Sequence, residues 1–244
     1  MSSQHAKLSK SSLHQLREEV LEANLELVRR GLVLYTFGNA SGIDREKALV
    51  VIKPSGVPYS KMKPEHLVVS DLNGKTIEGK LRPSSDLPTH LVPYKAFPEI
   101  GGVVHTHSEY ATAWAQARRE IPCFGTTHAD NFHGEIPITR DLQSGEVEAD
   151  YELNTGRVIV ERFREGKIDP ANVPGVLVAS HAPFAWGPTP EKAVENAIVL
   201  EFAAQMALAG MAIAPDMKPI PKYLLDKHFL RKHGPTAYYG QPKA

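Results

Sequence analysis

Apolar residues Leu13, Leu16, Val20, Ala23 and Leu27 recur at helical spacing with polar residues between them. The stripe predicts a first helix, opened by Ser12 and Gln15 at capping-box spacing and closed at Gly31. Short apolar runs follow at Leu32–Tyr35 and Ala48–Ile52, each bounded by turn residues. Leu67–Ser70 and Thr76–Glu78 flank Asn73-Gly74, a hairpin signal. Pro88 suits the first turn of a helix that reaches Phe97. Gly102–His107 reads as a buried strand, Tyr110–Arg118 as a helix, the stretch around Gly156–Glu165 as another, and Gly175–His181 as a second buried strand. The longest helix is predicted from Thr189-Pro190 to Gly210, and a last one from Pro221 to about Lys232, ending at Gly234 and leaving an aromatic tail with Tyr238 and Tyr239. Together these predict an α/β fold whose sheet is not purely parallel and is covered by helices. No linker or internal repeat interrupts the pattern, so one domain over residues 13–244 is expected behind a flexible segment, 1–12.

Composition narrows the function. The 244 residues hold 28 basic and 28 acidic side chains, so no global field favours nucleic acid or anionic lipid, and a small-molecule site is expected. No apolar run approaches the roughly 20 residues of a membrane helix, and the polar start lacks the apolar core of a secretory signal. A lone Cys123 permits no internal disulfide, which fits a reducing cytoplasm. It also rules out a zinc site built from several cysteines. Between Pro122 and Phe124 it reads as a buried, inert thiol.

Three of the eleven histidines are placed suggestively. In Val103-Val104-His105-Thr106-His107, two imidazoles two residues apart on a strand share a face. His181 ends the other apolar run, where a third ligand could meet them, and Asp86 offers a carboxylate before a helix start. Neutral imidazoles with one carboxylate suit zinc and similar borderline ions. His-x-His alone is equally a strand end with two hydrogen-bonded histidines; the second run ending in histidine favours the metal. His14, His66 and His90 read as surface or helix residues, and His128 and His133 as neighbours of an active loop.

Three small polar segments could cradle an anion: Phe37-Gly38-Asn39-Ala40-Ser41, Ile52-Lys53-Pro54-Ser55-Gly56 and Arg82-Pro83-Ser84-Ser85-Asp86. Any one alone reads as an ordinary turn. Lys53 at a strand end favours a phosphate. For proton transfer the residues offer Asp130 and Tyr239, which by themselves read as a loop carboxylate and a packed tail aromatic.

The chain resembles the class II aldolase and epimerase family from about Leu16 to Gln241. The resemblance is carried by Val51-Ile52-Lys53-Pro54-Ser55-Gly56-Val57, Pro83-Ser84-Ser85-Asp86, Gly102-Val103-Val104-His105-Thr106-His107-Ser108, Gly125-Thr126-Thr127-His128-Ala129-Asp130, Pro174 to His181, and Lys227 to Gly234. It implies one divalent ion per subunit, zinc foremost, held by Asp86, His105, His107 and His181. It implies substrate and phosphate contacts from Gly38, Asn39, Ser55, Gly56, Ser84 and Ser85 with Lys53 nearby, Asp130 and Tyr239 as the acid/base pair, and His228 in support. It further implies a central, mainly antiparallel sheet flanked by helices, and a homotetramer with sites between subunits. Aldolases of the family typically carry glutamate where this chain has Asp86. That difference, with Asp130 and Tyr239, points to its epimerase branch: inversion at C4 of a pentulose 5-phosphate, in L-arabinose breakdown or another route to the same sugar. A non-catalytic relative, like the head domain of adducin, is disfavoured by the intact histidines.

Overall fold

The computed structural model describes residues 2–233 and 237–239. Seven strands form its sheet: β1 (Asn39–Asp44), β2 (Leu49–Ile52), β3 (Val68–Asp71), β4 (Thr76–Glu78), β5 (Gly102–His105), β6 (Gly175–Leu177) and β7 (Pro183–Gly187). They lie in the order β4-β3-β2-β1-β5-β7-β6, and each neighbouring pair is antiparallel. The antiparallel expectation holds.

Side chains alternate across this sheet, as period two requires. Val50, Ile52, Val103, Phe184 and Trp186 enter one core, with α2 (Leu87–Ala96), α3 (Glu109–Gln116) and α5 (Ser144–Glu165). Val51, Val104 and Ala185 enter the other, beneath α1 (Ser2–Arg29) and the start of α6 (Pro190–Ile213). The Thr189 hydroxyl accepts from the Lys192 amide and opens α6 as expected, a cap of the kind worth about 1 kcal/mol. By length and composition α6 could cross a membrane. Ala193, Leu200, Ala203 and Ala204 on it are buried in the protein's own cores, while Phe202, Leu208 and Ile213 are exposed.

Several expected boundaries move. α1 starts at Ser2, upstream of the Ser12 cap, and includes most of the segment expected to be a flexible lead-in. That stretch has no proline or glycine to stop a helix, and Ala6, Lys7, Leu8 and Lys10 are good helix formers. Its far end closes as predicted: Gly31 has φ of 70° and the amide of Leu32 reaches back to the Leu27 carbonyl. The second buried strand is shorter than predicted, because β6 stops at Leu177 and the chain turns through Ser180, at φ of 62°, into β7. β5 ends at His105, since its partner β7 begins with Pro183, which has no amide to extend the ladder. α4 (Thr126–Ala129) and α7 (Lys222–His233) complete the fold, and the expected Gly234 stop lies outside the described residues.

Candidate active site and metal centre

Register assembles the site at one end of the sheet. Asn39 at the start of β1 pairs with His105 at the end of β5, and His105 pairs with Phe184 near the start of β7. β2 ends beside β1 there, delivering Lys53. A bridge between Pro54 and Pro83 then ties in the next segment, with the Ser84 amide on the Lys53 carbonyl and the Ser55 amide on the Arg82 carbonyl. This brings Ser84, Ser85 and Asp86, and with them the N-terminus of α2, to the same end.

The three expected histidines converge. His105 Nε2 lies 3.2 Å from His107 Nε2 and 3.3 Å from His181 Nε2. His105 belongs to β5, His107 lies just beyond it, and His181 sits in the turn before β7 rather than on a strand. His105 Nδ1–H donates to the Pro183 carbonyl at 3.0 Å, which leaves its Nε2 as an acceptor. Its ring stacks on Phe184 with centroids 4.2 Å apart. Burial pushes the pKa of all three imidazoles down, opposed by the Asp86 carboxylate, which favours the neutral form that binds metal. Two nitrogens about 2.0–2.1 Å from a tetrahedral ion stand roughly 3.3 Å apart. The observed spacings match that, and the donor set fits a borderline divalent ion.

Asp86 stands beside this group but is not one of its converging atoms. Its Oδ2 accepts from Asn39 Nδ2 at 2.6 Å, and Asn39 Nδ2 also reaches Ser84 Oγ at 3.1 Å. Burial would raise its pKa, but His105, His90, Asn39 and His181 together hold it below the usual carboxylate value. Asn39 Oδ1 is buried with no hydrogen-bond partner among the described residues, an acceptor held at the site.

Gly38 adopts φ of 101°, and a β-carbon there would come within 2.8 Å of the His105 carbonyl. Only glycine lets the chain pass this close to the strand that carries His105. Tyr59 hydroxyl donates to the Gly38 carbonyl at 2.7 Å and fixes the turn. Lys53 is buried over the Tyr59 ring, its ammonium 4.9 Å from the centroid. Ser55, Gly56 and Ser85 are exposed around it. The three segments expected to cradle an anion therefore do meet.

Asp130 and the tail form a second group. Asp130 ends α4, and Arg231 grips its carboxylate through two bonds from Nη2, at 2.8 and 3.0 Å. Lys232 stands 3.2 Å away and His228 Nδ1 3.0 Å. Tyr239 is exposed, its ring over Arg231 at 5.1 Å and Lys232 at 4.7 Å. No hydrogen bond, ion pair or ring contact among the described residues joins this group to the three histidines.

Other histidines resolve differently. His128 Nε2–H donates to the Gly134 carbonyl at 2.8 Å, and burial pushes its pKa down to about 4, a structural role. His133 anchors α7 through Asp226 at 2.8 Å. His90, read as a surface or helix residue, lies on α2 and is fully buried, its Nδ1 2.7 Å from Ser41 Oγ. It lies one helical turn after Asp86, on the α2 face turned to the sheet, a spacing that could have flagged it. Tyr151, which had no signal in sequence, bonds His181. Cys123 is buried as expected, its thiol pushed up to about 11 by burial.

A histidine triad at the ends of an antiparallel sheet, beside a carboxylate and a glycine-lined turn, defines a class, and comparison supplies it: residues 18–208 match the Class II Aldolase and Adducin N-terminal domain, and the chain belongs to that family. Within it, the chain is 55% identical over 229 residues to L-ribulose-5-phosphate 4-epimerase UlaF of Salmonella paratyphi A, covering 94% of this chain and 100% of the relative. The same figures hold for the protein of that name from Salmonella typhi. Among solved structures, an L-fuculose 1-phosphate aldolase superposes with a TM-score of 0.74 at 25% identity, over 88% of this chain and 94% of that one. An L-fuculose 1-phosphate aldolase from Glaciozyma antarctica PI12 shares the fold, with a TM-score of 0.76 at 19% identity, over 93% and 85%.

Proposed function

We propose that the chain interconverts L-ribulose 5-phosphate and D-xylulose 5-phosphate, acting as a 4-epimerase. The observation that carries the reading is the convergence of His105, His107 and His181 beside Asp86 in a chain 55% identical to proteins named for that activity. His105, His107 and His181 would hold a divalent ion, most simply zinc, with Asp86 as a fourth donor. The bound ion supplies Lewis-acid stabilisation of charge on the ketose oxygens as the carbon chain opens.

C4 bears no acidic hydrogen, so simple deprotonation cannot invert it, whereas breaking and re-forming the C3–C4 bond can. A base takes the C4 hydroxyl proton, the C3–C4 electron pair moves toward the ketose carbonyl, and an aldehyde phosphate separates. Lys53, Gly38, Asn39, Ser55, Gly56, Ser84 and Ser85 keep the phosphate anchored while the aldehyde turns. The C3–C4 bond re-forms on the opposite face, and a second group returns the proton. Asp130 and Tyr239 are the proton carriers in this reading, supported by His228. Retention of the aldehyde separates epimerase from aldolase.

Asp130 and Tyr239 stand apart from the histidines, which supports sites shared between neighbouring copies in a homotetramer. A cytoplasmic location fits the lone cysteine and the metabolic relatives. The first test incubates zinc-loaded protein with L-ribulose 5-phosphate and follows D-xylulose 5-phosphate through a coupled assay, with and without chelator. Chelator-sensitive product formation is expected; free aldehyde without epimer would make the chain an aldolase. Mixing His107→Ala and Tyr239→Phe chains tests the shared site, because activity returns only if one copy completes another's.

A further inference from the structure

α5 breaks where it passes the metal centre. Asp150 has φ of −160° and ψ of 83° inside an otherwise helical run, and Tyr151 follows immediately. Beyond the break the helix is pinned to α2: Thr89 Oγ1 donates to the Glu152 carbonyl at 2.6 Å, and a β-carbon at Gly156 would come within 2.9 Å of the Thr89 carbonyl. Asp86 immediately precedes α2. So pinned, Tyr151 lies with its ring nearly parallel to that of His181, 8° apart in plane, and its hydroxyl is 2.5 Å from His181 Nδ1.

We propose that Tyr151 is a positioning residue for the metal centre, holding His181 in the tautomer and orientation that present Nε2 to the ion. The chemistry follows from the ring's two nitrogens. When Nδ1–H donates to the Tyr151 oxygen, the proton is on the far side and the Nε2 lone pair faces His105 Nε2, 3.3 Å away. His105 is fixed in the same sense by the Pro183 carbonyl. His107 is exposed, and neither of its nitrogens bonds an outer partner among the described residues. Two of the three ligands are therefore fixed from outside, one by backbone and one by a side chain that substitution can remove. Loss of such an outer partner typically weakens metal binding about 10–100-fold.

The proposal rests on the metal reading above, and its test keeps the two apart. Tyr151→Phe retains the ring against His181 and removes only the hydroxyl. Zinc affinity of metal-stripped wild type and variant is measured by competition with a chromophoric chelator, alongside the melting temperature of both stripped proteins. A loss of at least about tenfold in zinc affinity, with the stripped melting temperature unchanged, is expected. A smaller loss, or one matched by a fall in that melting temperature, overturns the proposal. Should the variant not fold, the histidine tautomer is read in metal-free wild type from the ring ¹⁵N shifts, with His181 assigned by comparison with His181→Asn. A proton on Nδ1 is expected, and a proton on Nε2 overturns the assignment. Wild type that takes up no zinc would refute the metal reading, while the tautomer still decides the role of Tyr151.

Discussion

Lys53 carries its charge where water scarcely reaches, and replacing it with methionine separates two consequences of that placement. The residue is 2% exposed, and the one hydrogen bond its ammonium makes among the described residues is a long one, 3.4 Å to the Pro54 carbonyl. Burial pulls its pKa below the usual 10.5, with Asp86 opposing. A lysine with a depressed folded-state pKa weakens the fold while charged, so stability rises with pH from the folded-state value toward 10.5. At pH 7, Lys53→Met should therefore leave the melting temperature unchanged or raise it, and should abolish that alkaline gain. Phosphate anchoring should suffer instead. A charge-assisted hydrogen bond contributes about 1.5–3 kcal/mol, or roughly 10- to 150-fold in KM for the sugar phosphate. The coupled epimerase assay reads KM, and inorganic phosphate as competitor should lose inhibition in parallel. A folded variant with KM within about twofold of wild type would refute the anchoring role. A melting temperature lower by more than about 10 °C, some 3–5 kcal/mol for a chain this size, would show that the ammonium supports the fold.

His107→Ala should abolish zinc uptake and activity together; full metal content by elemental analysis would remove His107 from the ligand set. Tyr239→Phe should keep its zinc yet slow turnover by about 10²-fold or more, the usual scale for losing a proton carrier, and unchanged turnover would reassign the proton. Asp130 bears on pH. Burial would raise its carboxyl pKa, but bonds from Arg231, His228 and Lys232 hold it below the usual 3.8. The stability it lends the α4–α7 contact is therefore complete above about that pH and disappears as pH falls through the lower folded-state value. Protection from hydrogen exchange across α7, corrected for the intrinsic exchange rate at each pH, should hold at pH 5 and fall ahead of the sheet as Asp130 is protonated; α7 and the sheet opening together would argue against the clamp.

Much of the site was legible because strand periodicity and short-range spacing write themselves into sequence. His105 and His107 two residues apart, Lys53 after an apolar strand and Thr189-Pro190 before a helix all follow local rules. β1 did not show, since Asn39-Ala40-Ser41-Gly42-Ile43-Asp44 is small and polar; its place comes from pairing with β2 and β5 on both sides. β7 hid behind its opening proline, and the buried strand was read through Ser180 and His181, which form the turn before it. His90 reads as a surface or helix residue, and its burial on α2 does not show because its partners Ser41 and Tyr94 come together only in the fold. Tyr151 depends on a helix break at Asp150 that no proline or glycine announces. The cations around Asp130 come from the other end of the chain, a closeness that no local pattern encodes.

The groups gathered around the three histidines hang from the ends of elements. Asn39 opens β1, Lys53 follows β2, Asp86 precedes α2, His105 closes β5, and His181 occupies the turn into β7. The hydrogen-bonded middle of the sheet, from Val50 and Val103 to Trp186, carries none of it. Selection for folding and selection for substrate thus act on different residues. A lineage can exchange its tips while the buried lattice drifts only under the constraint of volume. The architecture is shared, at a TM-score of 0.74, with a structure only 25% identical in sequence. That division of labour also predicts that random mutagenesis will yield two separable sets of inactive chains, one that fails to accumulate and one that accumulates but cannot turn over.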